Sequence, residues 1–98
     1  MIESYALLYI NNPKELIFGR IEKIDDAGII IRGIPVIQIE TFKYQFKKEE
    51  QSVFFQTMFY PMHRVERIVK DEHQGRLSST LEEILAASKL SETELRHL

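Results

Sequence analysis

"VFFQTMFYPMHRVERIV", residues 53–69, decides how the rest of the chain is read. A β-prone aromatic run stops at Pro61 and resumes as "HRVERIV", with a histidine and two arginines beside it. Proline has no N–H to give to a ladder, so Pro61 divides two strands and "PMHR" becomes the turn between them. The first strand is apolar on both faces, with Val53, Phe55 and Phe59 on one and Phe54, Met58 and Tyr60 on the other. A small sheet has only one inside. Such a strand is therefore roofed by a helix or set in a subunit interface. The second strand is "RVERIVKD".

The strands that precede this pair read outward from it. "YALLYI", from Tyr5 to Ile10, is short, β-prone and ended by the breaker "NNP". "ELIFGRIEKID" follows, with Ile17 and Ile21 on one alternating face and Leu16, Phe18 and Ile24 on the other. Gly19 inside it marks a bend or a close backbone approach, as a tightly curved barrel requires. "DDAG" then turns the chain, with Gly28 free to take positive φ. The return strand "IIIRGI" ends or bulges at Gly33 and Pro35. "VIQIETFKYQFKKEEQ" fits two descriptions. Phe42, Tyr44 and Phe46 alternate as in a half-buried strand, while Ile39, Phe42 and Phe46 also fit a helical stripe. Residues 39–50 thus read as a strand extension or as a short helix lying on the barrel.

After Glu72 the character changes. "HQGRLSSTLEEILAASKLSETELRHL" lacks β-branched runs and carries two capping boxes, Ser79 with Glu82 and Ser91 with Glu94. Two short helices or one frayed helical tail follow. The expected fold is mainly β: a small, strongly bent five-stranded, SH3-like barrel over residues 1–75, with a helical tail over 76–98.

Composition narrows the function. The chain has 98 residues, 44% hydrophobic and 29% charged, which suits one soluble globular domain with a modest core. It has no cysteine, which excludes disulfides, thiol catalysis and thiolate metal sites. No apolar run is long enough to span a bilayer, so no membrane partner is expected. The N-terminus shows neither a basic leader nor a cleavage pattern. Together these features point to the cytoplasm. A net charge of −2 leaves no basic surface for nucleic-acid binding by counterion release alone, so any such contact is local.

The strand and turn pattern resembles the Sm/LSm family of ring-forming RNA-binding barrels. "YALLYINNPKELIFGRIEKIDDAGIIIRGI" looks like the family's first motif, with Gly19 at the family's glycine and Asp25 closing the second strand. "TMFYPMHRVERIV" looks like the second motif. The "FYPMHRVERI" signature is also similar to that of uncharacterised small bacterial proteins. The resemblance covers residues 5 to 70 and implies a homo-oligomeric ring in which strand four of one subunit pairs with strand five of the next. It departs from the family where residues contact RNA. "DDAG" is short and holds no Asn, and Pro61-Met62-His63-Arg64 stands in place of an Arg-Gly. The family's contacts therefore do not transfer one by one.

Candidate sites carry a functional and a plain reading side by side. His63 and Arg64, with Tyr60 or Phe59 to stack a base and Arg67 nearby, form a single-stranded RNA site if the turn lines a pore. Otherwise they are a polar turn in which Arg64 or Arg67 pairs with Glu66 or Glu40. Phe54, Phe55, Met58, Phe59 and Val65 are the expected subunit interface. Lys43, Lys47 and Lys48, interleaved with aromatics, read as a solvated face more readily than as a nucleic-acid patch. Neither His63 with Glu66 nor Asp71 with His73 has metal-site spacing, so no metal or cofactor is expected. Asp25 and Asp26 belong to a turn, and no serine lies in a nucleophile elbow. The reading is non-enzymatic: an oligomeric module binding single-stranded RNA, or a scaffold whose helical tail docks a protein partner.

Overall fold

The structure, a computed structural model, describes residues 4–48 and 52–98, apart from the side chains of 46–48. Its strands are β1 (Tyr5–Ile10), β2 (Glu15–Ile24), β3 (Gly28–Pro35), β4 (Gln56–Pro61) and β5 (Val65–Lys70). Helix α1 (Ile39–Lys48) lies between β3 and β4, and α2 (Thr80–Ser88) and α3 (Glu92–Arg96) follow β5. All five strands join one antiparallel sheet in the order β4-β3-β2-β1-β5.

Gly19 and Gly33 are direct partners on β2 and β3. A Cβ on Gly19 would stand 2.4 Å from the Arg32 carbonyl oxygen and 2.6 Å from the Gly33 Cα. A Cβ on Gly33 would stand 2.2 Å from the Phe18 carbonyl oxygen. Backbone meets backbone here, and only a residue without a side chain fits. The glycine expected to mark a close approach does so.

The bend gives the sheet two buried faces. On the inner face Ala6, Leu8, Ile10, Ile17, Ile21, Ile29, Ile31 and Tyr60 pack into a core made by strands alone. On the outer face Tyr5, Phe18 and Ile34 meet Phe55, Ile39 and Phe42 of α1, Ile84 of α2 and Leu95 of α3. The Phe18 ring stacks on Tyr5 at 5.3 Å and meets Phe55 edge-on at 6.3 Å, and Phe55 lies 5.1 Å from Phe42. β2, which reads as apolar on both faces, does so because each face has its own core.

Several expectations are resolved or corrected. The sheet is not closed into a barrel. The short turn after Pro61 bonds elsewhere, Met62 N–H to the Ala27 carbonyl and Asn11 N–H to the Arg64 carbonyl. β4 and β5 therefore diverge to opposite edges instead of pairing. The ambiguous stretch is helical over 39–48, with Ile39, Phe42 and Gln45 turned inward; the Phe46 side chain lies outside those described. β4 begins at Gln56, because the Gln45 amide holds the chain before it. Its Nε2 donates to the Val53 carbonyl at 2.9 Å, and its Oε1 accepts from Ser52 and Val53 N–H, each at 3.1 Å. Gly28 does not have positive φ. The Asp25 carboxylate makes that turn, accepting from Ala27 and Gly28 N–H at 2.9 and 3.2 Å. Gly28 is required instead by the Tyr60 carbonyl oxygen, which a Cβ would meet at 2.3 Å.

Both capping boxes form as the sequence indicates. In the first, Ser79 N–H donates to the Glu82 carboxylate at 2.8 Å, and this bond holds the Glu82 carboxyl below the usual range. Asp71 adds a second cap, accepting from Thr80 and Leu81 N–H at 2.8 and 2.9 Å. Its own N–H bonds to the Tyr5 carbonyl, so one residue fastens α2 to the end of the sheet. The Gly19–Gly33 contact yields a direct expectation. Gly19→Ala destabilises the fold by about 2–3 kcal/mol, the scale of overpacking against an unyielding neighbour, as read by urea denaturation.

Candidate functional site

The region that the sequence singled out is divided between structure and surface. Arg64, the supposed phosphate fork, is committed to the chain itself. Its Nε donates to the Asn11 carbonyl at 3.0 Å, and its Nη2 to the Pro13 carbonyl at 3.2 Å and the Glu15 carboxylate at 3.1 Å. The guanidinium thereby ties the β4–β5 turn to the β1–β2 turn, and its side chain is only 23% exposed. Pairing with Glu66 or Glu40 is replaced by pairing with Glu15. A planar fork suits two carbonyls and a carboxylate arrayed along one turn, which an ammonium matches poorly.

Tyr60 is also withdrawn. It is buried in the inner core with its hydroxyl 3.6 Å from the Met58 sulfur and its ring 5.7 Å from Arg64 Cζ. Burial raises its hydroxyl pKa. No ring face is left to take a base. His63 is exposed in the turn and, among the described residues, its ring makes no hydrogen bond or ion pair. Asp71 and His73 do not converge: Asp71 caps α2, while His73 Nδ1 lies 3.2 Å from Glu82. Among the described residues no group of three or more His, Asp or Glu side chains could hold a metal ion. Lys43 sits between Glu40 of its own helix, at 3.1 Å, and Glu83 of α2, at 3.8 Å.

Of the expected interface residues, Phe55 is spent on the chain's own core at 5% exposure. Met58 and Val65 are half-buried against the inner core. Phe54 and Phe59 are the ones left open, at 53% and 56% exposed. Phe59 belongs to an edge strand, since β4 pairs only with β3, and β5 pairs only with β1.

Arg67 finds a partner the sequence did not name. It stands directly opposite Tyr9 on β1, and its Cζ lies 4.1 Å from the centre of the Tyr9 ring, well within cation–π range. Beside this pair opens a cleft of about 400 Å³, lined also by Lys14, Glu15, Leu16 and Glu66. Tyr9 and Lys14 were missed because the β1–β5 register that brings them to Arg67 is long-range. The local pattern placed Tyr9 on a strand and went no further. The cleft's volume falls in the range of small-ligand clefts, and its lining combines the Tyr9 ring, the Arg67 guanidinium, Lys14 and two carboxylates, Glu15 and Glu66.

The chain matches none of the protein-family models, curated proteins or solved structures with which it was compared. No helix among the described residues is long and apolar enough to cross a membrane.

The Arg64 geometry has a measurable consequence. Arg64→Ala costs about 2–4 kcal/mol in stability, because three charge-assisted bonds and the register of two turns are lost together. Arg64→Lys recovers less than half of that by denaturant midpoint. A wild-type midpoint for the lysine variant would show that charge alone suffices.

Proposed function

We propose that this protein is a non-catalytic, Sm-like assembly module whose copies join edge to edge, β4 of one beside β5 of the next. The observation that carries the reading is that, among the described residues, each outer strand pairs on one side only and the same inner core surfaces on each. Met58 on β4 and Val65 and Ile68 on β5 are half-buried members of that core's rim. An exposed strand edge with apolar flanks invites another strand, and two different edges give a heterologous contact that closes into a ring. Phe59, exposed on β4, would be covered by the same contact. Several polar residues that could suggest catalysis are occupied, Ser79, Ser91 and Glu82 in caps, Asp25 in its turn and Arg64 in its latch, while His63 stays exposed in its turn.

Light scattering on a sizing column tests this. The expected mass is discrete, at about five to seven copies, as a closed ring requires. Met58→Lys and Ile68→Lys each reduce it to the monomer while leaving the far-UV circular dichroism unchanged. A wild-type monomer overturns the reading.

The Tyr9–Arg67 cleft favours single-stranded RNA as the ligand of such an assembly. A ring and a guanidinium plane are the surfaces on which unstacked bases rest, and Lys14 is placed to meet phosphate. The alternative, a scaffold docking partners through its helical tail, draws less support, since Ile84 and Leu95 are turned into the chain's own core. In fluorescence anisotropy with a short oligouridine, Arg67→Ala weakens binding about fivefold or more, in line with about 1–3 kcal/mol for one stacking contact. It also flattens the salt dependence. Equal binding by the variant places the RNA elsewhere or nowhere.

A further inference from the structure

Two residues of the Tyr9–Arg67 cleft carry charge that nothing answers, and the strand register explains how one of them comes to be there. β5 is an edge strand, and its pairing with β1 slips once: Tyr9 faces Arg67, while Ile10 faces Val65. Glu66 is therefore the extra residue of a β-bulge, with no partner across the ladder. In a regular strand consecutive residues point to opposite faces, which would put Glu66 and Arg67 on opposite sides of the sheet. A bulge re-aims a side chain, and here both residues line the same cleft.

Among the described residues neither Glu66 nor Lys14 makes a hydrogen bond or an ion pair, with each other or with a third group. Both line the cleft beside Arg67. The other carboxylate there, Glu15, is already held by Arg64 at 3.1 Å. Elsewhere the sheet settles its charges. Arg20 and Arg32 form one row across β2 and β3, and each turns to its own acceptor, Glu22 for the one and Thr57 for the other. The cleft instead keeps a cation resting on a ring, an unpaired cation and an unpaired carboxylate. A carboxylate weakens the hold of any site on phosphate alone. The ligand that suits this set brings hydrogen-bond donors as well as negative charge.

We propose that the cleft selects guanine in single-stranded RNA, with Glu66 as the residue that reads the base. This rests on the RNA reading of the cleft given above and adds its specificity. The base stacks on the Arg67 guanidinium, Glu66 accepts from its edge, and Lys14 meets the adjoining phosphate. An ionised carboxylate has two acceptor oxygens and no donor. Guanine is the base whose Watson–Crick edge carries two neighbouring donors, N1–H and the N2 amine, and one carboxylate can take both as a charge-assisted pair. Uracil offers its N3–H between two carbonyl oxygens, which a carboxylate repels. Adenine and cytosine set a single amine beside a ring nitrogen that only accepts.

Fluorescence anisotropy with the full chain compares a short oligouridine with the same oligomer carrying one central guanosine, at equal salt. The guanosine oligomer binds about tenfold more tightly, the scale of one bidentate base contact. Inosine in its place, which keeps N1–H and lacks the amine, falls between the two. Glu66→Gln, with its circular dichroism unchanged, brings both oligomers to equal affinity and tightens oligouridine, because a repelling charge is gone. A Glu66 needed only for the fold would weaken both on substitution. Guanosine monophosphate as a competitor assigns the source. Displacement of the oligomer only at much higher concentration places the base in RNA; displacement at matching concentration assigns the cleft to a free nucleotide and overturns the RNA part. Equal binding of both oligomers by the wild type, lost in Arg67→Ala, overturns the guanine assignment and leaves the RNA reading in place. Absence of binding by either oligomer overturns both, and a preference that survives Glu66→Gln removes Glu66 from the role.

Discussion

The contact between Gly19 and Gly33 is the constraint on which the other features depend. Two backbones at this distance leave no room for a side chain on either strand, and in return the sheet curls tightly enough to enclose a core on its inner face. Once that core is supplied by strands alone, the outer face is free to collect a second one from α1, α2 and α3. A chain of 98 residues thereby buries both faces of one sheet, which few domains of this size can do with a flat sheet. Phenylalanines gather in the outer core, beside isoleucines and a leucine from the helices, while the inner core is mostly aliphatic with Tyr60 at its side.

The same economy explains why the most chemical-looking residue is structural. The β4–β5 connection bonds to both the β1–β2 and the β2–β3 connections, and carbonyls in such turns need donors that no ladder provides. Arg64 supplies two of them and meets a carboxylate as well. Arg67, three residues on, keeps its guanidinium stacked on Tyr9 rather than forked into backbone. Two arginines of one short stretch thus serve opposite ends because one points into a turn and the other out over a neighbouring strand.

Local patterns were legible wherever local physics decides. The hairpin at Asp25, both capping boxes and the turn after Pro61 all follow from residues within a few positions of each other. What stayed hidden depends on partners far along the chain. Residues 39–48 satisfied two periodicities, and the choice of helix was made by the outer core that Phe42 enters and by the tie from Gln45 to Val53. Gly28 looked like a turn glycine, but its requirement comes from the Tyr60 backbone across the sheet. A five-stranded barrel was a fair reading of five strands. Closure failed because the turn between β4 and β5 bonds to the other two turns. Neither the Tyr9–Arg67 pair nor the Arg20–Arg32 row has any local signature, because each exists only through strand register.

Strand register also explains why these two clusters differ in kind. At Tyr9 and Arg67 an aromatic faces a cation, a pairing that stabilises the bare protein and leaves one ring edge and a cleft open beside it. Arg20 and Arg32 are cross-strand partners of like charge, and each turns to its own acceptor, Glu22 for the one and Thr57 for the other. The edges carry part of the inner core's rim, with Met58 on one and Val65 and Ile68 on the other, whereas the outer face is packed under the helices.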